Sequence, residues 1–331
     1  MNPVLSVRHL TTSFVTGAGL ARAVDDVSFD LLEGETLGIV GESGSGKTVT
    51  ALSILKLIEK PGQIAEESVV DYRGRNLVPM SYGELRQIRG AEIAMIFQEP
   101  TTSLNPVLTA GSQIAETLRA HQTINRKEAR GRAIELLELV GIPDAGRRVD
   151  DYPHQLSGGM QQRVMVAMAL SCNPKILIAD EPTTALDVTI QAQILELLVA
   201  LKQRFGMAMI LITHDLGIVA GAADRVAVMY GGQIVEQALT DELFSRPKHP
   251  YTSALMRAVP RLDRPVAVLE TVPGTVPPAT AWPAACRFHP RCPQVMDRCT
   301  EELPSLADTE QGHMARCWLA DEQPPKSEDD R

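Results

Sequence analysis

The chain has few aromatic residues and no excess of positive charge. Aromatic side chains make up 4% of its 331 residues, and 32 basic residues stand against 41 acidic ones, for a net charge of −9. A protein that grips the phosphate backbone of nucleic acids needs an excess of lysine and arginine. We therefore expect no nucleic-acid partner. The 44% of hydrophobic residues still suffices for the core of an ordinary globular protein.

Long apolar runs are also missing. The longest, such as residues 207–212, fall far short of the roughly 20 residues that span a bilayer. The N-terminus, MNPVLSVRHLTTSFV, alternates apolar with polar residues and has no basic start before an apolar stretch. We therefore expect no secretory signal peptide and a protein that stays inside the cell. Any membrane role is predicted to depend on a partner subunit.

The pattern that is present indicates an α/β fold with a mainly parallel sheet, because apolar strand candidates alternate with helical segments. A mainly helical stretch at about 106–171 predicts a helical subdomain, and six prolines within residues 260–283 predict an irregular connector. Length and composition together predict a large domain at 1–245 and a smaller extension at 246–331. The predicted strands are residues 36–40, 93–97, 176–179, 208–212 and 225–229, the last followed by a Gly231-Gly232 hairpin turn.

A phosphate-binding loop is predicted between the first of these strands and a helix. Residues 41–48 read GESGSGKT and fit the pattern G-x-x-x-x-G-K-[ST]. Glycines let successive backbone N–H groups curl around phosphate oxygens, and the helix N-terminus favours negative charge. Lys47 should reach the β- and γ-phosphates of ATP, and Thr48 should bind Mg²⁺. An ordinary glycine-rich turn is the alternative. The loop residues are Gly41, Glu42, Ser43, Gly44, Ser45, Gly46, Lys47 and Thr48.

Two adjacent carboxylates end the apolar strand at residues 176–179. In a parallel sheet this position lies at the carboxyl edge, where ligands bind. Asp180 should hold Mg²⁺, directly or through water. Glu181 should polarise the attacking water, because phosphoryl transfer needs a positioned nucleophile. The alternative is a surface acidic pair that caps the next helix.

Residues 156–163, LSGGMQQR, resemble the signature sequence of ABC ATPases. Ser157, Gly158 and Gly159 open a predicted helix and so create a second anion-binding N-terminus. In that family the signature of one cassette faces the phosphate loop of its partner. The resemblance therefore implies a dimer that sandwiches ATP. Met160 stands where many members carry glutamine, a departure that also occurs in the peptide-importer branch.

Four further positions fit the same family. Gln98, after a predicted strand, resembles the loop glutamine that links Mg²⁺ to the membrane subunit. Asp187, in Ala185-Leu186-Asp187, resembles the loop that crosses the dimer interface. His214 resembles the switch histidine that touches the γ-phosphate, and Phe14 the aromatic that stacks on adenine. Without the resemblance, Gln98 would be a polar strand end, His214 a structural histidine and Phe14 ordinary core.

Residues 98–106 (QEPTTSLNP) and 248–252 (KHPYT) are similar to dipeptide and oligopeptide importers, and the resemblance covers about residues 5–319. It implies a motor subunit on the cytoplasmic face of the cell (inner) membrane. Its implied partners are a second ABC ATPase subunit, favoured as a paralogue, two transmembrane permeases and an extracytoplasmic substrate-binding protein. Nickel and glutathione importers of the same branch remain alternatives. So do a soluble non-transport ABC ATPase and a cassette that hydrolyses ATP poorly.

Four of the five cysteines cluster near the end of the chain: Cys286, Cys292, Cys299 and Cys317. Four thiolates select zinc or an iron–sulfur cluster, although the paired C-x2–4-C spacing usual for zinc is absent. Each cysteine has a neighbouring arginine whose positive charge would balance the negative charge of a thiolate-bound cluster. Related importer ATPases hold a [4Fe–4S] cluster in such a tail, so the resemblance implies one with a structural or sensing role. Zinc and unligated thiols are the alternatives, and a reducing cytosol disfavours disulfides.

Overall fold

A computed structural model describes residues 3–184, 186–258, 272–310 and 312–321 of the chain. Ala185, the first half of the predicted proline-rich connector (260–271) and the polar residues 324–331 lie outside these ranges. Within them, no helix combines the length and the apolar character that a membrane span requires.

The strands and helices alternate over most of the described chain. The strands are β1 (Pro3–Thr16), β2 (Gly19–Leu32), β3 (Thr36–Val40), β4 (Gly62–Ile64), β5 (Val69–Tyr72), β6 (Arg75–Asn76), β7 (Ile93–Ile96), β8 (Ile176–Asp180), β9 (Ala208–Thr213), β10 (Arg225–Tyr230), β11 (Gln233–Leu239), β12 (Ala307–Glu310) and β13 (His313–Ala315). The helices are α1 (Lys47–Ile54), α2 (Tyr82–Ile88), α3 (Pro100–Ser103), α4 (Ala110–His121), α5 (Arg126–Leu139), α6 (Ala145–Arg148), α7 (Gly158–Leu170), α8 (Val188–Phe205), α9 (Leu216–Ala222), α10 (Thr240–Ser245), α11 (Pro250–Ala258), α12 (Asp297–Glu301) and α13 (Trp318–Asp321).

One compact unit consists of residues 3–4, 31–35 and the described part of 79–212. Its strands β7, β8 and β9 run parallel, with Ile93 opposite Ile176 and Ile176 opposite Ala208. Every residue of β8 and β9 is buried, as expected where helices cover both faces of a parallel sheet. These strands lie where the apolar runs of the sequence predict them.

Helices α4, α5 and α7 of this unit pack on one another, within the predicted helical subdomain. A capping box starts α5, because the Asn125 side chain accepts a hydrogen bond from the Glu128 N–H at 3.0 Å and the Glu128 carboxylate accepts one from the Asn125 N–H at 3.0 Å. Ala133, Leu136 and Leu137 form the buried face of α5 that the helical period predicts. Burial of that face is what holds the helices together.

A second compact unit consists of residues 5–30, 36–78 and the described part of 213–321. Its antiparallel sheet has the order β2-β1-β5-β6, with β4 also paired to β1. Its other strands include β3 and β10, which run parallel, and β11, which returns from β10 through the predicted hairpin. Gly231 and Gly232 form the turn at φ 57° and 79°, in the left-handed region that glycine adopts freely.

The C-terminal extension is irregular over much of its described length, but its short strand β13 pairs with β11, and its short strand β12 pairs with β13. Strands of three and four residues carry too little periodicity to be predicted from sequence. The extension shares its unit with residues 36–78, and the division at residue 245 stays a prediction.

A buried carboxylate anchors the extension to β11. Glu236 is fully buried and accepts hydrogen bonds from the N–H groups of Lys248 and His249 at 2.6 and 2.9 Å. His313 of β13 lies 2.7 Å from the same carboxylate through its Nε2. Burial lowers the pKa of His249 to about 4, so its neutral Nδ1 accepts a hydrogen bond from the Tyr251 N–H. Glu236 is therefore satisfied by groups from beyond residue 245.

Candidate functional site

The predicted phosphate loop lies between β3 and α1 in the second unit, and two of its glycines are sterically required. A Cβ at Gly41 would lie 2.2 Å from the Met229 carbonyl oxygen, and one at Gly46 would lie 2.4 Å from that of Ala23. Gly46, at φ 103°, is the N-cap of α1 and has no side chain to offer the first-turn N–H groups. The loop therefore presents backbone and a helix N-terminus to a ligand.

Lys47 lies within the curve of this loop. Its Nζ donates hydrogen bonds to the carbonyl oxygens of Gly41 at 2.8 Å and Glu42 at 3.1 Å, and the residue is buried. Ser45 is buried as well, and its Oγ has no hydrogen-bond partner within the described residues. An ammonium and an unsatisfied hydroxyl in one curl suit phosphate oxygens, so these residues fit a bound nucleotide.

Glu42 has partners that the sequence did not reveal. Arg291 donates two hydrogen bonds to the Glu42 carboxylate, at 2.7 and 3.0 Å. The backbone N–H of Glu42 donates to the Tyr251 hydroxyl at 2.9 Å. In the sequence, Arg291 stands out only as a neighbour of Cys292, and Tyr251 only as part of the KHPYT motif. A pairing over such a sequence distance leaves no local signal.

Phe14 and His214 also belong to the second unit. Phe14, in β1, is half-buried opposite Gly62, whose added Cβ would come within 2.6 Å of the Phe14 ring. His214 is exposed directly after β9. The following Asp215 caps α9 by accepting a hydrogen bond from the Gly217 N–H at 2.7 Å.

The first unit brings Gln98 and Glu181 together. The Gln98 Nε2 donates to the Glu181 carboxylate at 3.0 Å, and the Thr184 hydroxyl donates to the same oxygen at 2.9 Å. Glu181 has a φ of 45°, a strained conformation for a residue with a side chain, and such strain clusters at functional sites. The preceding Asp180 is buried at the end of β8. Neither carboxylate caps the next helix, because Asp187 does so.

The signature residues open α7 as the sequence predicts. Ser157 is the N-cap, and its hydroxyl accepts a hydrogen bond from the Met160 N–H at 3.4 Å. Ser157 and Gly158 are exposed, whereas a Cβ at Gly159 would lie 2.9 Å from Ile190 of α8. Asp187 caps α8 by accepting from the Ile190 N–H at 3.0 Å. The signature and the start of α8 therefore form one surface of this unit.

The four clustered cysteines lie near one another in the second unit. Burial raises the pKa of Cys286, and neighbouring Cys299 and Cys292 raise it further. Burial also raises the pKa of Cys317 to about 11, with a smaller contribution from Cys286 and Cys292. Within the described ranges, no three histidine, cysteine, aspartate or glutamate side chains are grouped so that they could hold a metal ion.

The arginines beside these cysteines do not serve the cluster as the sequence suggested. Each is directed to other groups, so adjacency in the chain was a misleading guide. The contacts are Arg287 with Asp25 and the Gly231 carbonyl, Arg291 with Glu42, Arg298 with Glu302, and Arg316 with the carbonyls of Ile234 and Pro304.

Comparison with known proteins decides the family. Residues 24–184 match the model of the ABC transporter family, and residues 235–299 match that of the oligopeptide/dipeptide transporter C-terminal region. The oligopeptide transport ATP-binding protein AppD of Bacillus subtilis (strain 168) is 50% identical over 98% of both chains. The chain belongs to the ABC transporter ATP-binding family. The dipeptide transport ATP-binding protein DppD of Escherichia coli (strain K12) is 51% identical over 95% of this chain and 96% of its own.

Solved ABC cassettes share the fold. The dimeric ATP-binding cassette MJ0796 bound to ADP and Pi superposes with a TM-score of 0.64 at 30% identity, over 71% of this chain and 98% of that one. CbiO1 from Clostridium perfringens gives a TM-score of 0.61 at 27% identity, over 74% and 92%. These neighbours confirm the predicted ABC-type α/β fold. As an ABC ATP-binding subunit, the chain is an ATPase, as predicted.

Proposed function

We propose that this chain is the motor subunit of an importer for dipeptides or oligopeptides and acts on the cytoplasmic face of the cell membrane. The assignment of peptides as the cargo rests on the match of residues 235–299 to the C-terminal region of oligopeptide/dipeptide transporters. ATP closes a pair of cassettes and hydrolysis reopens them, which drives two permease subunits between outward and inward states. The second cassette is a paralogue, and an extracytoplasmic binding protein delivers the peptide.

Reconstitution tests the cargo. We expect the complex of this chain with its paralogue and permeases, in proteoliposomes with the binding protein, to hydrolyse ATP faster when peptide is present and to accumulate labelled peptide. Stimulation by Ni²⁺ or by glutathione instead of peptide would assign the cargo to the other importers of this branch. ATPase activity that ignores the permeases altogether would contradict a transport role.

The hydrolytic step rests on the bonds around Glu181. Gln98 and Thr184 both donate to its carboxylate, which holds the group in one orientation. In that orientation Glu181 can accept a proton from the attacking water. The family resemblance implies Thr48, Gln98 and Asp180 as the residues that would hold Mg²⁺, which would neutralise the charge on the separating phosphate oxygens.

The phosphate groups are proposed to meet backbone and side chains of the loop. Lys47 turns from the carbonyls of its own loop to the β- and γ-phosphates, where its charge is better satisfied. Phe14 stacks on the adenine, and the exposed His214 contacts the γ-phosphate. Each role comes from the family resemblance and from the local geometry of the residue.

Ser157, Gly158 and Gly159 are proposed to bind the ATP of the partner cassette, with Asp187 at the interface. We expect Ser157→Ala to lower the ATPase rate of the assembled transporter about tenfold or more, because a preorganised donor to the phosphates is lost. It also removes a helix N-cap, at a cost of about 1 kcal/mol of stability.

Thr109→Ala is the matched control for the lost cap. Thr109 caps α4 in the same unit by accepting a hydrogen bond from the Ser112 N–H at 3.2 Å. Both variants should lose similar stability in thermal unfolding, but only Ser157→Ala should lose ATPase activity. Equal activities of the two variants would contradict the role of the signature.

We also propose that Cys286, Cys292, Cys299 and Cys317 hold a [4Fe–4S] cluster. The soft donor chemistry of four thiols supports this proposal, although the described structure does not group them closely enough to hold a metal ion. Anaerobically purified protein is expected to contain iron and acid-labile sulfide, and Cys292→Ser to lose both. Cys172→Ser, outside the cluster, should keep them. Zinc without sulfide would support the zinc alternative, and the absence of any metal would support unligated thiols.

A further inference from the structure

Arg291 ties the C-terminal extension to the phosphate loop. It lies in the short 3-10 helix His289–Arg291, and its two terminal nitrogens donate to the two carboxylate oxygens of Glu42 at 2.7 and 3.0 Å. The Arg291 side chain is only 4% exposed. A bidentate, charge-assisted pair of this kind, with the guanidinium buried and the carboxylate partly exposed, is geometrically specific. The second residue of the loop is therefore held from outside the loop.

The guanidinium is itself held in place. Its Nε donates to the Pro273 carbonyl at 2.7 Å and its Nη2 to the Val272 carbonyl at 3.2 Å. It also lies 5.6 Å from the centre of the Tyr230 ring. Lysine has no planar fork with which to make these bonds at once. Arg291 thus links residues 272–273 to Glu42 as a fixed brace rather than a mobile surface charge.

Tyr251 holds the backbone at the same residue. Its hydroxyl accepts the hydrogen bond of the Glu42 N–H, and burial raises its pKa, so the hydroxyl stays neutral. The ring packs against Tyr230 and Phe288, with centroids 4.7 and 5.3 Å away. Arg291 therefore holds the side chain of Glu42 and Tyr251 its main chain, and both partners pack against Tyr230.

Arg287 reaches the loop by a second route. It donates to the Gly231 carbonyl and to Asp25, and the neighbouring Gly232 N–H donates to the Ser45 carbonyl at 3.0 Å. Ser45 belongs to the phosphate loop. Two arginines that neighbour the clustered cysteines thus support the loop. Arg291 does so directly, and Arg287 does so through the β10–β11 turn.

We propose that Arg291 is a positioning residue for ATP binding, and that residues 272–292 of the extension set the nucleotide affinity of the phosphate loop. The proposal rests on the proposed role of residues 41–48. Phosphates bind tightly only to a loop whose N–H groups are already in place, and every group that must be ordered on binding lowers the affinity. The brace at Glu42 keeps the loop ordered before ATP arrives.

Binding of a fluorescent ATP analogue to the full chain tests this proposal. Arg291→Met is expected to raise the dissociation constant about tenfold, which is about 1.4 kcal/mol. The dissociation constant of Arg291→Lys should lie between that of Arg291→Met and that of the wild type. Arg298→Met is the matched control, since Arg298 also precedes a cysteine and pairs with a carboxylate, that of Glu302, at 3.0 Å. It should bind the analogue like the wild type.

Glu42→Ala removes the same contact from the other side. We expect it to weaken binding as well, and the double variant with Arg291→Met to lose no more than the weaker-binding single variant. In the assembled transporter, Arg291→Met should raise the KM for ATP and leave kcat within about twofold, as a positioning role requires. Should Arg291→Met fail to fold in a thermal unfolding control, Glu42→Ala still carries the test.

Three results would overturn the proposal: wild-type affinity in Arg291→Met, unchanged or tighter binding in Glu42→Ala, or losses that add in full in the double variant. Failure of the proposed ATP site looks different. In that case the wild type would not bind the analogue, or Lys47→Ala would bind it equally well.

Discussion

Glu181→Gln is expected to lower ATP turnover by about 10²- to 10⁴-fold, the range that a general base contributes, while ATP stays bound. Glutamine has the shape of glutamate and keeps an oxygen for the Gln98 and Thr184 donors, so the local geometry should survive. It cannot accept a proton from water. Single-turnover hydrolysis measures the loss, and size-exclusion chromatography with ATP should show a trapped cassette dimer.

Glu196→Gln provides the control, because Glu196 is an exposed carboxylate in the middle of α8 in the same unit. It should hydrolyse ATP at the wild-type rate. If Glu181→Gln did the same, another group would have to activate the water.

Lys47→Ala is expected to weaken ATP binding about 100-fold. Its ammonium now bonds two carbonyls of the loop, and hydrogen bonds to charged groups are worth about 1.5–3 kcal/mol each. The variant loses both the proposed contact to the phosphates and the internal brace of the loop. Titration with a fluorescent ATP analogue measures the change.

Lys56→Ala is the comparison variant for that titration. Lys56 lies just after α1 and donates to the Val78 carbonyl at 2.7 Å, so it too is a lysine bonded to backbone. It should bind ATP like the wild type. Unchanged binding in Lys47→Ala would remove the main support for the phosphate loop as the nucleotide site.

The sequence predicts best what local pattern determines. The strand, the glycine loop and the start of α1 follow one another within residues 36–54, and each has its own signal in spacing or residue type. Glu181 was predicted from the end of an apolar strand, and Gln98 from the family resemblance. Adjacent parallel strands end at one edge, which explains why the structure places them in hydrogen-bond contact.

Contacts between distant residues were not predictable in this way. The pairing of Arg291 with Glu42 depends on how the extension folds, and no periodicity or motif encodes it. The arginines beside the cysteines show the opposite error, because adjacency in the chain suggested a function that their side-chain contacts do not support. Strands β12 and β13 were missed because they are short.

The buried Glu236 limits how far this protein can be shortened. Cassettes such as MJ0796 match 71% of this chain, which suggests that the chain could be shortened to its ATPase domain. Cutting at residue 245 would remove Lys248, His249 and His313, and leave the buried Glu236 carboxyl group without these hydrogen-bond partners. It would also bare the β11 edge that β13 covers. The described part of the extension therefore belongs to the folded unit that contains β11, and we expect a version shortened at residue 245 to need a substitution at Glu236.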